Sequence, residues 1–397
     1  GQLVRKGFFD NTEARFAYDA LGRMVSASNQ AAEITFSYDH LGNVIEECSS
    51  GASTKYRYDL VGNRVERVSP WQRSLQLEYT AENQLKSVRG EHGDLHLDYD
   101  PLGREVLRRL PGGSQLVKEY LPTGEIHSSQ AFAPNKEVLN GRQYSYAASG
   151  RVSAVNDLRY GSAQYKHDQD DRLQSAVYGE DTEQYAQDGV GNMPGVPGLA
   201  RLTEVNGWKV EWDEDGNILS KRKDALHFGY QYDATGRLAT VKKKQHEIES
   251  VVSFTYDALG RRVSKSCQAA DKQQSTQFFW DGDVLLGEES CGSSLEYLHA
   301  PNSFQPMAAF GPQGAFFLEC DHLDAPHIAV DDAGTLLWTA SYKAYGELKD
   351  QEGPPGYVPF RFAGQYADAE TGLHYNRYRY YDPDVRMYGR VAPICLL

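Results

Sequence analysis

The chain is short of the residues that mark a metal centre, a disulfide scaffold or a membrane span. Its 397 residues include five cysteines, Cys48, Cys267, Cys291, Cys320 and Cys395. An odd number with no C-x-x-C spacing indicates neither a zinc site nor a disulfide framework. No run of 18 apolar residues occurs, so no membrane-spanning helix is expected. The opening Gly1-Gln2-Leu3-Val4-Arg5-Lys6 has no initiating Met and does not resemble a signal peptide, so the chain reads as part of something longer. Basic residues are outnumbered, 41 against 55 acidic, and the net charge of −14 argues against nucleic acid or an anionic membrane as partner. The basic runs Lys221-Arg222-Lys223 and Lys242-Lys243-Lys244 are expected to lie on solvated hairpins with charge pairing across the strands.

Tyrosine, by contrast, is abundant at 26 residues, and it recurs with a beat. Tyr18-Asp19-Ala20-Leu21-Gly22-Arg23 returns 20 residues on as Tyr38-Asp39-His40-Leu41-Gly42-Asn43, and again as Tyr58-Asp59-Leu60-Val61-Gly62-Asn63. Tyr79 keeps the spacing with a blurred motif, and Tyr99-Asp100-Pro101-Leu102-Gly103-Arg104 restores it. A fixed period of this length signals a stack of similar supersecondary units. Within each unit an alternating run such as Ile34-Thr35-Phe36-Ser37-Tyr38 predicts a half-buried strand. The Asp-x-x-Gly that follows predicts a turn: the carboxylate accepts backbone N–H groups, and glycine supplies the left-handed conformation that closes a hairpin with a bulge. The structural turn residues are therefore Asp19, Gly22, Asp39, Gly42, Asp59, Gly62, Asp100, Gly103, Asp233, Gly236, Asp257 and Gly260.

Degenerate copies occur at Tyr120, Tyr146 and Tyr165 before the motif sharpens at Asp188, Trp212-Asp213, Tyr232-Asp233 and Tyr256-Asp257, with a shortened copy at Phe279-Trp280-Asp281-Gly282. The stretch Asn192 to Gly198, with two prolines, is expected to be a loop or seam. The low mean hydropathy of −0.60 suits an all-β wall of antiparallel hairpins with wetted faces better than several solid domains. A sheet of that many strands cannot stay flat, because twist accumulates and edges must be covered, so it is expected to coil. Cys320, Asp321 and His322 do not make a catalytic dyad, since neighbours on a strand point to opposite faces. Asp213, Asp215 and Gly216 only faintly suggest a calcium loop. No cofactor or metal is expected.

The last hundred residues sharpen the reading. Asp321-His322-Leu323-Asp324-Ala325-Pro326, Trp338 to Glu347, and the run from Phe362 through Gly364, Gly372, Tyr381, Asp382 and Pro383 closely resemble the core-associated segment of bacterial RHS/YD-repeat proteins. This resemblance implies YD-repeat hairpins spiralling into a hollow shell, or cocoon, which the repeats present need not close. It is the fold of insecticidal toxin complex shells and teneurins. It divides the chain into a YD-repeat wall, 1–300, and a core-associated C-terminal segment, 301–397. It further implies a scaffold that encapsulates a C-terminal polypeptide toxin and helps deliver it in competition. Its partners would be the cargo and a secretion apparatus, and it would be cytoplasmic before export, then secreted or at the cell surface. In such proteins an aspartyl-type centre cuts the toxin free at Asp-Pro-x-Gly motifs; here the matching register reads Ala392-Pro393-Ile394-Cys395, so that centre is expected to be lost, Asp382 to be structural, and the chain to be no enzyme. Two other readings stand beside this one: a surface carbohydrate-binding or adhesion module using exposed aromatic rings, and an inert remnant of a larger locus.

Overall fold

The computed structural model describes residues 1–185, 203–270 and 272–389. The expected seam at 192–198 and the degenerate motif Ala392, Pro393 and Cys395 lie outside the described residues. Among the described residues the chain is all-β, with no α-helix. An 18-stranded sheet covers the first half, a 15-stranded sheet the second, and a 4-stranded sheet the C-terminal end. Consecutive strands pair antiparallel down the chain, from Arg5–Gly7 to Asp181–Gln184 in the first sheet. The second runs from Glu204–Val205 to Leu348–Glu352 without a break at residue 300, and the third from Tyr366–Ala367 to Met387–Tyr388.

The repeat has a physical explanation at every turn. In the first, the Asp19 carboxylate accepts the N–H groups of Leu21 and Arg23, both at 2.9 Å. Asp39, Asp59, Asp100, Asp233 and Asp257 make the same pair of bonds. Gly22, Gly42, Gly62, Gly103, Gly236 and Gly260 all have φ between 74° and 92°, where a β-carbon is strained. The register slips by one residue immediately before each motif tyrosine, as at Ser37/Tyr38 and Arg57/Tyr58. That is the bulge of a three-to-five-residue hairpin loop.

Contacts between the two large sheets advance together along the chain. Asn29 donates to the Tyr256 carbonyl, Tyr56 to Asp281, Arg67 to Glu296, Arg108 to the Leu318 carbonyl and Arg142 to the Ala340 carbonyl. Both partners climb in number, as they must when one wall winds beside its own earlier turn. Leu75, Leu77, Leu95 and Leu116 of the first sheet pack on Leu298, Phe310, Phe317 and Val330 of the second. The opposite face of the second sheet, at Phe316, Leu318 and Ala329, joins a cluster containing Phe360, Tyr366, Tyr375 and Tyr380 of the C-terminal segment. Burial on both faces explains why Pro326–Asp331 reads as a nearly continuous apolar run instead of alternating. Where the sheets diverge, a cleft of about 570 Å³ opens between Tyr58, Arg64 and Tyr79 on one side and Asp283 and Phe304 on the other.

Candidate functional site: the seat of the C-terminal segment

The densest polar chemistry lies where the C-terminal segment meets the wall. Arg262 opens the return strand after the Asp257–Gly260 turn and is 1 % exposed. Its guanidinium sits 2.6 Å from Asp368 and within 4.4 Å of the ring centres of Phe278 and Tyr375, with Phe254, Tyr366 and Tyr380 around it. Burial opposes that charge, but Asp368 and the surrounding tyrosines outweigh it and hold the arginine protonated. Lys265 shares Asp368 at 3.2 Å and adds Glu370 at 2.9 Å. A buried cation held by a carboxylate and aromatic faces is a strong geometric key, because removing either partner strands a charge away from water.

A second key lies two repeats earlier. Lys221 is fully buried, with Nζ 2.7 Å from Asp382 and 2.8 Å from Asp384, over the rings of Trp208 and Phe228. This corrects the expectation of a solvated basic run: Arg222 points to the opposite, exposed face and Lys223 lies exposed at the end of the strand, donating to the Asn206 carbonyl at 3.0 Å, but Lys221 points into the joint. The second run behaves as expected at Lys244, which faces Glu249 across its hairpin. Burial pushes the Asp382 carboxyl up, opposed by Lys221 and reinforced by Asp384. Asn206 donates to the Asp384 carbonyl at 2.9 Å, Ile218 donates to the Gly389 carbonyl at 2.9 Å, and Arg386 reaches Glu183 of the first sheet at 2.7 Å. The segment thus touches the last strand of the first sheet and the first strands of the second.

The remaining core-motif residues fall in distinct places. Tyr381 donates to the Tyr345 carbonyl at 2.7 Å, and Pro383 is buried beside Asp382. Gly372 closes the turn after Asp368 at φ 74°, and Gly364 lies against Phe304. Asp321 caps its own turn through Leu323 and Ala325 and meets Arg142 at 3.4 Å, while His322 packs edge-on to Tyr144 at 5.2 Å. These two belong to the junction between the large sheets. Cys320 is buried and bonded to the Pro306 carbonyl, away from any nucleophilic arrangement with His322. Asp213 accepts from both the backbone and the side chain of Asn217, the bonding of a turn cap. Sequence reasoning missed Arg262, Asp368 and Lys221. A hint was available in Arg261-Arg262, a second cation where other repeats begin the return strand with Met24, Val44 or Leu238.

Hairpins with these turns, winding as one wall that carries a docked C-terminal sheet, define a YD-repeat shell. The chain matches the teneurin YD-shell family over residues 115–390 and belongs to it. It is 30 % identical over 339 residues to the double-stranded DNA deaminase toxin A of Burkholderia cenocepacia, covering 75 % of this chain and 22 % of that protein. It is 25 % identical over 389 residues to the toxin protein Tse5 of Pseudomonas aeruginosa, covering 76 % of this chain and 29 % of that one. The chain therefore spans about a quarter of the length of these relatives. Among solved structures, a Photorhabdus luminescens Tc holotoxin pore superposes with a TM-score of 0.73 at 14 % identity, over 97 % of this chain and 24 % of that one. A TcdB2–TccC3 complex superposes at 0.71 and 14 %, over 96 % and 24 %. The fold is that of RHS and Tc shell proteins.

Proposed function

We propose that this chain is a non-enzymatic portion of a shell that encloses a polypeptide toxin and helps carry it to a competing cell. The observation that carries the reading is the winding of the wall beside its own earlier turn with the C-terminal segment seated on it, in a chain whose relatives include toxins. In this reading residues 1–300 are the YD-repeat wall, the core-associated stretch from 301 continues that wall as far as Glu352, and residues 358–389 anchor the end nearest the cargo, held by Arg262 and Lys221. The partners are the enclosed polypeptide and an export apparatus, and the product is secreted or surface-borne after assembly in the cytoplasm. With Ala392 where the resemblance calls for Asp, the chain leaves the joint to its cargo uncut. The adhesion reading is weaker because the motif tyrosines are committed: Tyr38, Tyr58, Tyr99 and Tyr232 each donate their hydroxyl to a backbone carbonyl one repeat back. Such rings are half-buried in the wall and poor platforms for sugar stacking.

Protease protection tests the proposal. The product of the complete gene, treated with a nonspecific protease, is expected to yield a cargo fragment that survives far longer than the same polypeptide expressed alone. Equal digestion rates would reject encapsulation. The same samples, incubated without protease, are expected to keep the full mass; a defined self-cut near the tail would overturn the assignment of a lost centre.

A further inference from the structure

We propose that the buried imidazoles of His327 and His374 make the packing of this shell acid-sensitive, so that uptake of a proton at either ring loosens the joint between the two large sheets and the fold of the C-terminal segment. His327 is 0 % exposed, and among the described residues neither ring nitrogen has a hydrogen-bond partner. It stands near Lys118 and Arg142, the cations that bridge the two sheets, and near His322. The carboxylates of that joint already face other groups: Glu319 Oε1 lies 3.2 Å from Lys118 and accepts from Ser129, and Asp157 and Asp321 lie 2.7 Å and 3.4 Å from Arg142; Glu319 Oε2 is left without a hydrogen-bond partner among the described residues. A charged His327 would be a third cation in a dry joint, with no acceptor at hydrogen-bond distance from its ring among the described residues.

His374 repeats the arrangement within the C-terminal segment. It is 4 % exposed, its Nδ1 lies 3.1 Å from Gln365 Oε1, and its ring packs near Tyr381. The charged groups facing it are Arg361 and Asp368. Arg361 is held by the carbonyls of Val358 and Phe360, and Asp368 is committed to Arg262 and Lys265. A protonated ring therefore meets a fixed cation and gains little from the one acid nearby. Burial and Arg361 push His374 down to about 3, and burial with Arg142 and Lys118 pushes His327 well below the usual imidazole range.

The sign follows from linkage. For a histidine depressed in the folded state, the stability it confers is complete above its unfolded value, near 6.5, and is lost as the pH falls toward the folded value. At pH 5 each ring favours the open state by about 30-fold relative to pH 7, and the two together by roughly 1000-fold. Asp382 works in the opposite sense, since its raised carboxyl favours the folded state on protonation. The buried carboxyls of Glu47 and Asp324 are also raised and act with Asp382, while His299, pushed down by burial to about 3, acts with the two rings, so the two single-residue variants carry the comparison.

Hydrogen exchange of the amides in Pro326–Asp331 and Arg379–Asp382, corrected for intrinsic rates, is measured between pH 7.5 and 5 on the wild-type chain and on His327→Gln and His374→Gln. Opening is expected to rise steeply below pH 6.5 in the wild type, and each substitution should remove about 30-fold of that rise at pH 5. Opening that stays flat down to pH 5, or rises equally in the variants, would overturn the proposal. If a variant fails to fold at pH 7.5, NMR titration of the wild-type ring Cε1 signals decides instead. Two imidazoles that stay neutral until the exchange rises support it; two that titrate near 6.5 with no change in exchange reject it.

Discussion

The guanidinium of Arg23 lies 4.5 Å over the ring of Tyr38, the tyrosine of the next repeat. The same arginine bonds back to Asp19 of its own turn and donates to the Asp39 carbonyl of the next. The hydroxyl of Tyr38 returns the contact by donating to the Met24 carbonyl at 2.6 Å. Arg104 with Tyr120, and Arg237 with Tyr256, repeat the clasp at 4.5 Å and 4.8 Å. The motif therefore does more than make a turn, because three of the four Tyr-Asp-x-x-Gly-Arg units are tied to their neighbour through the tyrosine of the next, while Arg261 of the fourth donates to Glu47 and the Gly282 carbonyl. Removing the Tyr38 hydroxyl by Tyr38→Phe should cost about 1 kcal/mol, and a cycle of Tyr38→Leu, which removes the ring, with Arg23→Gln should show coupling of about 0.5–1 kcal/mol, both read from urea unfolding. Additive single effects would mean that the clasp carries no energy.

Gly62 isolates backbone strain from crowding. Its φ is 90° and an added β-carbon would meet nothing within 4 Å, so Gly62→Ala should destabilise by about 1–2 kcal/mol through conformation alone. A neutral substitution would remove the left-handed turn from the account.

Replacing Arg262 by Met leaves Asp368 buried, with only Lys265 to balance it. The loss should be about 3–5 kcal/mol, concentrated in the C-terminal segment. Limited proteolysis should then release fragments from residues 358–389 while the first sheet stays protected. Uniform cleavage along the chain would show that the segment and wall unfold together.

This last residue marks the boundary of what the sequence could reveal. Asp39 and Gly42 were legible because their work is done within five residues, where local propensity and hydrogen bonding decide the outcome. Lys221 and Arg262 were not, because their partners lie 161 and 106 residues away and only the coiling of the wall brings them together. Neighbours in sequence made Lys221 look like part of a solvated run. Strand alternation turned it inward, and a carboxylate pair far down the chain was waiting there.

Acid should act on the wall a second time, well below the histidine range. Glu105 is buried, which opposes its charge, but Arg108 and Lys118 outweigh this and bring it down to about 2. Its stabilising contribution is complete above the usual glutamate value and fades as the pH falls from about 4.5 toward 2, on the order of 3 kcal/mol in all. Thermal unfolding of Glu105→Gln should be less pH-dependent across that window than the wild type. Parallel curves would show that the Arg108 pair is not what holds the carboxylate charged.

The central claim, a wall that winds around enclosed polypeptide, is tested most directly by single-particle electron cryo-microscopy of the complete gene product. The account predicts a coiled β-wall in which residues 1–185 and 203–352 run side by side, with the segment around Arg262 and Lys221 seated on the inner turn and non-wall density enclosed. A wall that is open and empty in the complete product, with the polypeptide beyond it exposed to solvent, would contradict it.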